Sequence, residues 1–119
     1  ASGMVTLHRN SGSASVPSFA QTADTLAAVD TRAAPTLHDV DGDGTLDLLI
    51  GTKNELLLVR NQGTPAAPRF GEPTVVDLKG MPRQATPAMG DLNDDGHPEL
   101  VVGGQSGGLV LFQPRAARP

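Results

Sequence analysis

The chain has 119 residues with a formal net charge of −4, no Cys, Trp or Tyr and only three Phe. That charge is the wrong sign for a phosphate backbone, and the scarcity of aromatic faces removes the surfaces on which bases stack, so nucleic-acid binding is not expected. Without Cys there is no disulfide framework, thiolate nucleophile or Cys-based zinc site, and no apolar run approaches the ~18 residues of a membrane span, so membrane insertion is not expected either.

With 14 Gly and 10 Pro the chain favours turns over long helices, and Val, Ile, Leu and Thr supply strand formers; an all-β fold is expected. The N-terminal "ASGMVTLHRN" has neither the basic region nor the apolar core of a signal peptide, so any export signal is expected to have been removed or to lie upstream. Two strands are predicted first, at about 4–9 and 19–29, joined through "NSGSAS", a serine-rich loop without a nucleophile elbow. "APTLHDV" then leads into the acidic run "DVDGDGTLD", and "LDLLIG" (46–51) follows, apolar on both faces as in a strand packed between two other layers. "ELLLVRN" (55–61) returns, and "RFGEPTVVDL" (69–78) is an outer strand interrupted by Pro73, which only an edge tolerates well. The acidic run recurs as "DLNDDGHPE", followed by "LVVG" and "LVLF". The basic, Pro-rich "PRAARP" (114–119) reads as a tail without fixed structure.

Internal repetition organises these elements. A shift of 52 lays "APTLHDVDGDGTLDLLIG" (34–51) on "TPAMGDLNDDGHPELVVG" (86–103). Asp39, Asp41, Asp43 and Asp47 then meet Asp91, Asn93, Asp95 and Glu99, and every changed side chain keeps an oxygen. A shift of 51 lays residues 5–20 on 56–71, pairing Arg9 with Arg60, Asn10 with Asn61 and Phe19 with Phe70. The expected organisation is a partial unit over 1–32, a complete unit over 33–84, a partial unit over 85–113 and the tail. Four strands in about fifty residues match the blade of a β-propeller, so the fold expected is a set of four-stranded antiparallel β-propeller blades, about two and a quarter of them in this chain.

Crowded carboxylates repel, and a cation offsets the repulsion. Ca²⁺ takes six to eight oxygen ligands at about 2.3–2.6 Å. A D-x-D-x-D-G loop turns its odd positions inward, so Asp39, Asp41, Asp43 and Asp47 would supply carboxylates and Thr45 its carbonyl. Asp91, Asn93, Asp95 and Glu99 would do the same in the second loop, with the carbonyl of His97. The two loops concentrate eight of the 13 acidic residues, and two Ca²⁺ ions would cancel the formal charge. An EF-hand is rejected, because its Glu at position 12 is replaced by Ile50 and Val102 and the loops lie between strands. Mg²⁺ fits less well, since it demands tighter octahedral geometry. The competing reading is a pair of solvated Asx turns. His8, His38 and His97 fall at different points of the repeat and read as non-ligating rings, and Arg9–Asn10 and Arg60–Asn61 read as turn and packing residues.

These motifs resemble the FG-GAP/VCBS repeat family, the calcium-binding blade repeats of integrin α-subunit propellers and of many bacterial secreted proteins. "RFG" (69–71) is similar to the Phe-Gly signature, "AAP" (33–35) and "ATPA" (85–88) to the Gly-Ala-Pro signature, and the two acidic runs to the metal loop. Ala20, Ala33 and Ala85 depart from it where Gly is usual. The resemblance implies a non-catalytic, calcium-binding module, extracellular or at the cell surface in its parent protein, with a structural, adhesion or protein- or glycan-binding role. Its expected partners are copies of itself or further blades of a parent chain. The alternative is the propeller part of a secreted carbohydrate-active lyase or hydrolase, or a lectin. Repetition counts against catalysis, since a catalytic residue would break the symmetry between copies and none does.

Overall fold

The computed structural model describes residues 3–19, 24–29 and 32–113; the predicted tail at 114–119 and Ala20 lie outside them. The strands are β1 (Gly3–Leu7), β2 (Asp24–Val29), β3 (Ala34–His38), β4 (Asp47–Gly51), β5 (Leu56–Val59), β6 (Thr74–Val75), β7 (Thr86–Gly90), β8 (Glu99–Gly103) and β9 (Leu109–Phe112). All pairs are antiparallel, and the strands form three separate sheets, β1-β2, β3-β4-β5-β6 and β7-β8-β9.

The expectation of β-propeller blades is therefore corrected. Among the described residues only the middle sheet has four strands, its neighbours have two and three, and the sheets are open, with none closed or curled into a ring. The physical reason lies in what the repeat encodes. Period and hydrophobic pattern specify strand pairing within a unit, whereas ring closure depends on how many units meet. By the repeat alignment β1 and β2 match the third and fourth strands of the middle sheet, and β7, β8 and β9 match its first three.

The middle sheet shows why the repeat folds. β4 is buried along its whole length, with Leu48 and Ile50 packed on Val5, Ala27, Val29 and Val59 on one side. On the other side Leu49 joins Leu56, Ala85, Leu100 and Val102. The expectation from "LDLLIG" of a strand covered on both faces holds, and burial of each such side chain contributes about 1.5–3 kcal/mol. Gly51 permits a close approach between the middle sheet and the chain entering the third, because a Cβ there would run into the carbonyl oxygen of Ala85. The outer strand is shorter than predicted. Phe70 makes a single bridge to Asn61, and the ladder resumes only at Thr74–Val75, after Pro73, which has no N–H to donate.

The repeat found in the sequence is also a repeat of register. Ala34 pairs with Gly51 and His38 with Asp47, as Thr86 pairs with Gly103 and Gly90 with Glu99. Both acidic loops therefore leave the same end of equivalent strand pairs.

Candidate metal centre

Each acidic loop is wound around its own carboxylates. Asp39 Oδ1 accepts from the amides of Gly42 at 2.9 Å and Asp43 at 3.2 Å, and its Oδ2 from Gly44 at 2.9 Å. Asp41 Oδ1 also accepts from the Asp43 amide, at 3.2 Å. Asp43 Oδ1 accepts from the Thr45 amide at 2.9 Å and its hydroxyl at 2.8 Å. The second loop repeats the pattern: Asp91 accepts from the amides of Asp95 at 3.1 Å and Gly96 at 2.8 Å, and Asp95 from that of His97 at 2.9 Å. The winding needs left-handed backbone at matching places, Gly42 (φ 74°) and Asp94 (φ 59°).

The ninth position of each loop ties it to the sheet. Asp47 is fully buried at the start of β4, where its Oδ2 accepts from the Val40 amide at 3.2 Å and its Oδ1 from the Asn61 amide at 2.9 Å. Glu99 is likewise buried at the start of β8 and accepts from the Leu92 amide at 2.7 Å. One side chain thus joins the loop entrance, the following strand and, for Asp47, the end of β5.

The predicted acids converge. One oxygen from each of Asp39, Asp41, Asp43 and Asp47 lies within 4.8 Å of the others, and the same holds for Asp91, Asp95 and Glu99. Beside the His97 amide, the Asn93 side chain helps to hold the Asp95 carboxyl below the ordinary aspartate range. Neither cluster includes a histidine. Thr45 is buried and His97 exposed, and both belong to the loops through their amides.

Electrostatics follows from these bonds. The Thr45 amide and hydroxyl hold the Asp43 carboxyl below the ordinary aspartate range, and the His97 amide does the same for Asp95. Asp41 moves upward, chiefly through desolvation within the loop, with the neighbouring Asp43 charge adding to it. Such crowding of like charges is what a cation would relieve.

Two features of the site escaped the sequence. Arg60 Nη1 donates to Asp41 Oδ2 at 2.8 Å, although the strand pattern marked Arg60 only as a turn and packing residue. The register contained the signal: Leu48 pairs with Val59, which sets Arg60 opposite Asp47 at the rim of the loop. Its neighbour Asn61 does organise the turn, its Oδ1 accepting from the amides of Gly63 at 2.9 Å and Arg69 at 3.0 Å. Asn10 accepts from Gly12 and Ser18, both at 2.9 Å, in the equivalent loop. The second feature is that the two loops are neighbours, bordering a cleft of about 460 Å³ lined by His38, Asp39 and Asp41 on one side and Asp91, His97 and Pro98 on the other.

A protein-family model described as an FG-GAP-like repeat matches residues 39–102, from the first carboxylate of the first loop into β8 beyond the second. No curated protein and no solved structure matches the chain. The match takes in both acidic clusters and all of the repeat between them, more than half of the sequence, and the chain accordingly belongs to the FG-GAP-like repeat family as an all-β, non-catalytic repeat module.

Proposed function

We propose that the chain is a calcium-stabilised repeat module whose two acidic loops each hold one Ca²⁺, and that it works as a structural, adhesion or ligand-binding element by packing with further repeats. The observation that carries this reading is the recurrence of a convergent carboxylate cluster at the same place in two registers of the same strand pair. The donors fit the ion, being all oxygen and hard. Asp39, Asp41, Asp43 and Asp47 with the carbonyl of Thr45 would hold the first ion, and Asp91, Asn93, Asp95 and Glu99 with the carbonyl of His97 the second. A bound ion would neutralise the crowded charge and pin the turn between the first two strands of each unit. The unit itself runs from 33 to 84 in this reading, with partial units on either side. Loops of this class in extracellular modules bind at about 10⁻⁴–10⁻³ M, which suits a secreted or cell-surface setting. Protein or glycan ligands belong to that setting.

Calorimetric titration with Ca²⁺ over a Mg²⁺ background tests the reading. Two ions per chain are expected, together with a rise in the unfolding midpoint. At a hundredfold excess over Kd each site adds about 2.7 kcal/mol. Asp43→Asn and Asp95→Asn should each abolish one site. Absence of both heat and stabilisation at millimolar Ca²⁺ would return the loops to solvated Asx turns.

A further inference from the structure

The repeat alignment shows one face of the molecule built to be covered. On the middle sheet, Val40, Leu49, Leu56 and Leu58 pack into the core shared with the third sheet, and Gly51 leaves room for the Ala85 carbonyl. Their counterparts are Leu92 in the second acidic loop and Val101, Leu109, Leu111 and Gly103 on the third sheet. Leu56 is 1% exposed and its counterpart Leu109 76%; Val40 and Leu58 are half-buried where Leu92 and Leu111 are 65% and 51% exposed, and Val101 is half-buried where Leu49 is buried. Among the described residues a Cβ on Gly103 would meet nothing nearer than a Leu109 methyl at 3.7 Å, so none of them takes over Gly103 the place that Ala85 takes over Gly51.

The missing cover has a complementary surface elsewhere in the chain. Ala33, the counterpart of Ala85, packs against the core of the first and middle sheets but stays half-buried, whereas Ala85 is fully buried. Leu37 stands on the middle sheet beside the two-stranded first sheet and is 48% exposed. Its counterpart Met89 packs against the core between the middle and third sheets. The first sheet, two-stranded among the described residues, leaves Leu37 half-exposed.

We propose that a second copy of this chain docks head to tail on the third sheet, its Ala33 and Leu37 covering Gly103, Leu109 and Leu111 of the first as Ala85 and Met89 cover the middle sheet. The contact is heterologous, because the two surfaces differ, and it leaves the same pair of surfaces free at the ends of the dimer. It rests on the reading of the chain as a module that packs with further repeats, and specifies the face and the occupant.

Gly103→Val separates a docked face from a merely sticky one. The substitution has room within the folded chain and adds a strand-favouring side chain, yet it fills the space the neighbour's backbone needs. Sedimentation of wild type from low micromolar to submillimolar concentration, in calcium and in chelator, should show concentration-dependent association. Gly103→Val should sediment as a monomer over the same range, with an unchanged thermal midpoint in dilute solution and two Ca²⁺ still bound. Leu109→Asp should also be monomeric. A wild type monomeric throughout would overturn the docking of a second copy and leave packing with further repeats of a parent chain untouched. Association that Gly103→Val leaves intact would overturn the proposed face alone. The calcium titration judges the metal loops separately in either case.

Discussion

The two acidic loops follow one backbone path with different side chains. The first gathers four carboxylates and sets a guanidinium against one of them, Arg60 on Asp41. The second gathers three, with Asn93 in place of Asp41, and the position matching Arg60 is Gln113. The extra anion of one loop thus comes with an extra cation, and both are absent from the other cluster. The repeat preserves the turn and the convergence of oxygens, while each copy balances its crowded charge separately. A second difference lies underneath: Asp47 accepts two backbone amides, from the loop and from the end of β5, whereas Glu99 accepts the loop amide of Leu92.

The largest expected effect breaks the comparison at this buried position. Asp47→Ala would strand the amides of Val40 and Asn61, and an unsatisfied buried donor costs about 1–3 kcal/mol, so a loss on the order of 3 kcal/mol is expected in chelator. Glu99→Ala should lose about 2 kcal/mol by the same reasoning. Urea unfolding of both variants without calcium measures the gap. Equal losses would mean that the Asn61 amide finds another partner and that the two loops are anchored alike.

Both loops were legible in the sequence because their signal is local. The alternation of Asp39, Asp41 and Asp43 with Gly, and its return at Asp91, Asn93 and Asp95, fixed where the oxygens gather before any tertiary contact was known. The strand covered on both faces was legible for the same reason, since Leu48, Leu49 and Ile50 leave no polar face. Arg60 was not, because its meeting with Asp41 depends on the register of β4 against β5, which a repeat alignment does not state. The β-propeller expectation failed one level higher. Residues specify which strands pair, but nothing in the side chains of one unit states whether successive sheets close into a ring. The shortening of the strand predicted at 69–78 to Thr74–Val75 shows the opposite case, a single residue, Pro73, overriding a favourable pattern.

Arg60→Gln sharpens the electrostatic half of the comparison, since it gives the first loop the side chain that the second has at the matching position. The guanidinium and a cation compete for Asp41, so the variant should bind its first Ca²⁺ about threefold more tightly at low ionic strength, with the advantage shrinking as salt is added. The second site should be unaffected. Calorimetry at two salt concentrations reads both changes, and weaker binding at the first site would show that Arg60 orients Asp41 for the ion instead of competing with it.

The smallest expected effect concerns the backbone alone. Gly42 and Asp94 occupy matching left-handed positions, and a Cβ at Gly42 would meet no atom within 4 Å, so a substitution there meets conformational cost without a clash. Gly42→Ala should therefore destabilise the chain by about 1 kcal/mol. Asp94→Gly should run the other way by about 0.5 kcal/mol, because aspartate tolerates this region better than most residues and glycine is more disordered when unfolded. Both are read in chelator, where the ion does not hold the turn. If Asp94→Gly instead costs stability, the Asp94 side chain contributes to the second loop beyond its backbone, and the loops differ in a way that neither the carboxylate clusters nor the matched backbone path records.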